Sequence, residues 1–208
     1  MNKSSIILLF LVYSFAYSQN FSAGPIIGIN TSQVSNDNLG GFNKIGLRLG
    51  GFVHKAFENF DFQMELQYIN KGSRENIGQN TYSEGYRLNV NYIEMPLLIQ
   101  KSNSYIYDID IELGLIFGYL LKWTETIDGI DEAGDNINNY WVESIRSIEY
   151  SFLIGFKKQI TQQLYLNTRL SNSLFPIRGH FSSFGPDGNP QYNTCISFSL
   201  YYFLNKRN

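Results

Sequence analysis

A chain of 208 residues with a formal net charge of −2, 16% aromatic residues and one cysteine sets clear bounds. A slightly acidic balance argues against a nucleic-acid binder, which needs a basic stripe, and a lone Cys195 excludes an intramolecular disulfide framework. The length favours a single domain.

The first segment is a targeting signal in form. Lys3 precedes an apolar run from Ile6 to Val12, and small residues stand at Ala16 and Ser18. The run is too short to cross a bilayer as a helix, so residues 1–18 are expected to be a secretory signal peptide and 19–208 the mature domain. Losing Lys3 makes the mature chain one unit more negative.

From Phe21 onward the pattern has a period of two, the mark of strands with two unlike faces. Phe21 to Asn30 is the first expected strand, followed by a long Ser/Asn/Gly-rich loop to Asn43. Lys44 to Phe57 sets Ile45, Leu47, Leu49 and Val53 against Gly46, Arg48, Gly50 and His54; Glu58-Asn59 is a tight turn. Phe60 to Tyr68 alternates Phe60, Phe62, Met64, Leu66 and Tyr68 with Asp61, Gln63, Glu65 and Gln67. A loop from Ser73 to Arg87 leads into Leu88 to Lys101, and Ser102-Asn103-Ser104 turns the chain into a strand from Tyr105 to Leu121. Trp123 to Arg146 reads as the longest loop. Ile148 to Phe156 and Leu164 to Ser171 are joined by Thr161-Gln162-Gln163, and a fourth loop, Pro176 to Pro190, precedes Gln191 to Leu204.

Eight strands with long and short connections in strict alternation match an outer-membrane barrel, with short periplasmic turns and long external loops. The face assignment follows from volume. Nearly every greasy position holds Phe, Tyr, Leu, Ile or Met, more than the interior of an eight-stranded barrel can hold. The opposite parity carries Gly28, Gly46, Gly50, Gly114, Gly118 and Gly155, which suit a crowded lumen. The greasy face therefore points to lipid, and a lipocalin-like soluble barrel is excluded. A mean hydropathy of −0.20 is compatible with this, since one residue in two meets lipid. Aromatic girdles are expected from Phe57, Phe60, Tyr105 and Tyr107 at the short-turn end and from Tyr68, Tyr119, Trp123 and Trp141 at the loop end.

Inside the fourth strand, Ile93, Met95, Leu97 and Ile99 share one parity, and Tyr92, Glu94 and Pro96 the other. A carboxylate and a proline within a greasy strand are unusual, because proline cannot donate to the ladder. Tyr92-Ile93-Glu94-Met95-Pro96-Leu97 resembles the signature of the PorT-like outer-membrane β-barrel proteins of Bacteroidetes, with Met95 in place of the usual Ile or Val. The resemblance implies an all-β, eight-stranded antiparallel up-and-down barrel of OmpA/OmpX-like architecture in the outer membrane of a Gram-negative bacterium. Because PorT is linked to protein export, it also implies an accessory role there.

Arg48, Glu65, Glu94, Asp110, Glu112, Glu149 and Arg169 all fall on the lumen parity. Buried charges must be paired, so they are expected to form a salt-bridged plug; the alternative is a charge-lined pore. His180-Phe181-Ser182 resembles the His-x-Ser element of PagL-type lipid A deacylases, but the only later acid is Asp187, in a Gly/Pro-rich loop, and no triad is expected. Asp128, Asp131, Glu132, Asp135 and Asn136 crowd the third loop without EF-hand spacing. No enzyme activity, cofactor or resident metal is expected. The expected surroundings are outer-membrane lipid and lipopolysaccharide, with envelope proteins as partners of a monomeric barrel. A lipid A hydrolase using His180 and Ser182, or a surface adhesin using the loops, are the rival readings.

Overall fold

The computed structural model describes residues 21–37, 39–75, 85–103, 109–127, 130–131, 144–181 and 189–204. Eight long strands carry the fold: β1 (Phe21–Val34), β2 (Lys44–Ala56), β3 (Asp61–Arg74), β4 (Arg87–Asn103), β5 (Ile109–Ile127), β7 (Ile148–Gln159), β8 (Leu164–Ser173) and β11 (Asn193–Tyr202). Three short strands, β6 (Ile130–Asp131), β9 (Arg178–Phe181) and β10 (Asn189–Gln191), stand above the loop end. Each long strand pairs antiparallel with its neighbour in sequence, and β1 pairs with β11, as in Ile27↔Leu200, closing the sheet. Closure leaves no edge, the condition for strands to survive in lipid.

The short-turn end is tightly tied. Phe57 N donates to Phe60 O at 2.9 Å, Ile160 N to Leu164 O at 2.9 Å, and Leu204 N to Ala23 O at 2.9 Å. Phe57 and Phe60 are exposed and their rings stack with centroids 5.0 Å apart.

Burial is inverted relative to a water-soluble domain. Ile27, Ile29, Ile45, Leu66, Leu113, Leu115, Phe156 and Leu200 are exposed, while Arg48, Glu65, Lys71, Glu94, Glu112, Lys157 and Arg169 are enclosed. So large a continuous apolar surface marks contact with lipid rather than water. On β5 the outward apolar positions run from Ile111 to Leu121, close to the about 9–11 residues a tilted spanning strand needs. The strands form a transmembrane barrel.

Above that belt the polarity turns over. In β5 the register shifts opposite Asn91/Tyr92, so that Leu120 faces Tyr92 and Lys122 faces Asn91, with Leu121 extra. A bulge reverses which parity faces inward. Beyond it Lys122 is exposed, whereas Trp123 is half-buried and Glu125 enclosed. Val34, Ile69, Leu88, Val90, Tyr92, Ile145, Ile177 and Cys195 form an apolar core inside the loop end of the barrel. Water replaces lipid outside at this height, so the ordinary apolar-in arrangement returns.

This inversion corrects several sequence expectations. β1, β3 and β5 run on to Val34, Arg74 and Ile127 through segments expected to be loop, and the fourth expected loop contains the β9–β10 hairpin. Trp123 does not join a lipid-facing girdle; it packs against the inner apolar core, with the Arg178 guanidinium 5.5 Å from its ring. Tyr119 is exposed as expected. Tyr105, Tyr107 and Trp141 lie outside the described residues, as do residues 1–18.

Pro96 sits mid-barrel rather than at an edge. Its pairing with β5 is continuous, Pro96↔Ile116, but the β3–β4 ladder lapses between Met64↔Leu97 and Gln67↔Glu94. The missing N–H is thus absorbed on the side facing Glu65 and Leu66.

Candidate functional site

Every second residue of a barrel strand points inward, and this geometry delivers the charged residues to one column. Glu65 of β3 stands at its centre. It accepts from Arg48 Nη2 at 3.0 Å, from Arg169 Nη1 and Nη2 at 2.8 Å each, and from Tyr201 Oη at 2.9 Å. Glu112 of β5 takes Arg169 Nε at 2.7 Å, Lys157 Nζ at 3.0 Å, Asn167 Nδ2 at 2.8 Å and Gln100 Nε2 at 3.0 Å. Arg48 spends its other donors on Gln67 at 2.7 Å and on Ser197 and Ser199 at 3.0 and 3.2 Å. One group of side chains thereby cross-links β2, β3, β4, β5, β7, β8 and β11.

A second group lies nearer the loops. Lys71 reaches Glu94 at 2.5 Å and Glu149 at 2.9 Å, and Glu149 also accepts from Ser151, Ser173 and Asn193 at 2.8, 3.1 and 2.9 Å. Gln67 joins the groups, receiving Arg48 on its oxygen and donating to Glu94 Oε2 at 2.8 Å. Four cations thus meet four glutamates. Removing such charges from water is costly unless each is paired and its remaining lone pairs are used, and here most are.

Of the sequence-derived lumen residues, Arg48, Glu65, Glu94, Glu112, Glu149 and Arg169 are brought into these two groups, and Asp110 is buried beside them at the short-turn end, opposite Lys157 in register. Sequence reasoning missed Lys71 and Lys157. Each lies on the correct parity, but just beyond the last residue assigned to its strand. It also missed a third pair, Arg178–Glu125 at 2.8 Å, whose carboxylate accepts from Tyr86 Oη at 2.6 Å. Burial and the adjacent carboxylate push the Tyr86 phenol well above its ordinary pKa. Within the motif, Tyr92, Glu94 and Pro96 point inward, with Lys71 5.3 Å from the Tyr92 ring; Ile93, Met95 and Leu97 face outward.

Apolar layers close the column at both ends. Ile26, Phe52, Tyr165, Tyr201 and Phe203 pack across the barrel at the short-turn end, Phe52 and Phe203 with centroids 4.7 Å apart; the Tyr92–Ile177 core fills the other. Between the charge groups, a cavity lined by Arg48, Gln67, Glu94, Arg169 and Cys195 has ≈ 10 Å³ of room for a water centre, about one water.

Among the described residues, no three His, Cys, Asp or Glu side chains are grouped to hold a metal. The described backbone places His180 on β9, but its side chain and Ser182 lie outside the described residues, as do the side chains of the acidic third-loop residues Asp128, Asp131, Glu132, Asp135 and Asn136.

A profile described as outer membrane protein beta-barrel domain matches residues 17–179. Among solved structures the chain is similar to Ail, the attachment invasion locus protein of Yersinia pestis, with 11% identity, a TM-score of 0.50, and 89% of this chain and 100% of that one covered. It also aligns with Neisserial surface protein A at 10% identity and a TM-score of 0.48, covering 88% and 96%. Among curated proteins none matches. At these identities the likeness speaks to fold, and the fold is that of a Gram-negative outer-membrane barrel.

Proposed function

This chain belongs to the outer membrane protein beta-barrel domain family, and from that membership and its filled lumen we propose a non-enzymatic barrel that works through partners at its external loops or periplasmic turns, as an accessory of protein export. The observation that carries the closed reading is Glu65. It is enclosed with Arg48 and Arg169 on its oxygens, between two apolar layers that span the bore. An eight-stranded barrel has an interior just wide enough to be filled in this way, so a passing polypeptide has no route and any part in export is an assisting one. The export reading itself is supported by the PorT-like segment Tyr92 to Leu97.

Two measurements test it. Purified protein in planar bilayers is expected to show no stable ohmic openings; their appearance overturns the plug. Deleting the gene in its host is expected to remove a defined set of proteins from the medium and cell surface while the outer membrane stays intact. An unchanged profile overturns the export role.

A further inference from the structure

Just beyond the apolar belt on the loop side, β3, β4 and β5 turn a polar surface outward. Its lower row is Asn70, Asn91 and Lys122, opposite one another in register, with Asn70 Nδ2 donating to Asn91 Oδ1 at 2.7 Å. Behind it, Lys44 of β2 is buried and on the lumen parity of Gly46 and Arg48, with its Nζ donating to Asn70 Oδ1 at 2.5 Å. The next row holds Gly72, Asn89 and Thr124, and the upper row Arg74, Arg87 and Thr126.

Arg74 and Arg87 are direct Cα partners on this outward face. Like charges placed opposite each other in an antiparallel pair are destabilising. The field extends to Lys44, whose pKa is lowered first by burial and then by Arg87 and Arg74. Among the described residues, none of Lys44, Arg74, Arg87 and Lys122 forms an ion pair. The neighbouring carboxylates are engaged elsewhere: Glu75 accepts from Tyr86 N at 3.1 Å, and Glu125 points inward to Arg178. The surface is cationic, free of outward carboxylates on the described parts of these three strands, and rich in amide and hydroxyl groups.

We propose that this face binds the phosphate groups of an outer-leaflet glycolipid of the lipid A class. The occupant follows from continuity and charge. The platform stands directly above Ile45, Ile93, Tyr119 and Leu121 in the lipid belt, so a molecule with acyl chains on those residues brings its headgroup to the cations. Arginine matches phosphate geometrically with paired N–H donors, while asparagine and threonine suit sugar hydroxyls. The Asn70–Asn91–Lys122 row and the Arg74–Arg87 row lie four residues apart along β3 and β4, roughly 13 Å at ~3.3 Å per residue. That spread suits a disaccharide carrying a phosphate at each end.

The test is a titration of the full-length protein in detergent with bisphosphorylated lipid A and with the same lipid stripped of phosphate. The Arg74→Gln/Arg87→Gln double variant is expected to bind bisphosphorylated lipid A at least about tenfold more weakly while keeping its heat-modifiable gel mobility. Wild type is expected to lose a similar factor on the dephosphorylated lipid. Lys122→Gln gives an independent reading from the lower row, with a loss of about threefold expected even if the double variant does not fold. Lys101→Gln/Lys158→Gln, changing exposed lysines at the opposite end, is expected to bind as wild type does. Equal affinity for the two lipids, or undiminished binding by the variants at Arg74, Arg87 and Lys122, overturns the proposal. Competition by soluble inositol hexakisphosphate at concentrations equal to the lipid overturns the assignment to a lipid.

Discussion

Arg169 holds both oxygens of Glu65 with its two terminal nitrogens, at 2.8 Å each, while its Nε takes Glu112 at 2.7 Å. One guanidinium on β8 therefore pins β3 and β5 across the bore, with every bond enclosed. Arg169→Ala leaves two glutamates short of their main counter-charge, a change that costs about 3–5 kcal/mol for a buried pair. Urea unfolding of the protein in lipid vesicles is expected to show that loss. Adding Glu112→Gln to the same chain should recover part of it, because the stranded charge is then reduced.

Gly155 is the space that Arg169 occupies. A Cβ there would stand 2.7 Å from Arg169 Cγ, 3.0 Å from Glu112 Oε2 and 3.1 Å from Thr168 O. Gly155→Ala is expected to destabilise by about 1–3 kcal/mol through overpacking. At Gly118 the nearest atoms would lie at 3.5 Å, an ordinary contact. Gly118→Ala is expected to fall within about 0.5 kcal/mol of wild type, so the two alanine variants should separate clearly in one denaturation series.

The belt has a definite upper limit, and arginine scanning locates it. Leu113 is 57% exposed in the apolar band, and Leu113→Arg is expected to cost about 2–4 kcal/mol, as for a cation near the bilayer midplane. Thr124 lies outward on the same strand beyond the bulge, and Thr124→Arg should cost about 0–1 kcal/mol. Equal penalties would place lipid against both positions and contradict the change of polarity at Leu121.

Asp37, just past β1, is buried, and burial raises its carboxyl above the ordinary value despite the hydrogen bond from Leu39 N to Oδ1 at 2.9 Å. A raised pKa in the folded state means that the fold favours the protonated form. The stabilisation from that proton is full below the ordinary carboxylate pKa and is lost as pH rises through the raised value. Measured against Asp37→Asn, the stability of the wild type should decline over that window and then level off. A difference that does not vary with pH contradicts the assignment.

The barrel and its orientation were legible in sequence because lipid imposes the strongest contrast a strand can carry. Phe62, Met64 and Leu66 outside and Gln63, Glu65 and Gln67 inside leave little ambiguity about either the strand or its faces. Where water replaces lipid, the contrast collapses. Asn70, Lys71 and Gly72 are all polar or small, so the alternation ends at Tyr68 and gives no sign that Lys71 belongs to the lumen set. The bulge at Leu121 hid Trp123 and Glu125 in the same way, since a parity pattern read upward from Tyr119 assigns both to the wrong face. Arg178 was illegible for a different reason: its partner Glu125 is distant in sequence, and neither lay in a segment read as strand.

The pairing of β1 with β11, as in Val34↔Asn193, closes the barrel between its first and last strands, so the seam waits until the whole barrel sequence has been made. Until that seam forms, two rows of backbone N–H and C=O groups have nothing to bond within lipid, at a cost of several kcal/mol for each group left unmet. Partly inserted forms are thereby penalised, and assembly becomes nearly all-or-none. Joining segments so far apart also carries a loop-closure penalty that makes such contacts slow to form. The chain must therefore be kept unaggregated, and out of the bilayer, while β1 waits for β11. Any factor that holds the β11 segment in place would speed assembly more than one acting on an internal hairpin.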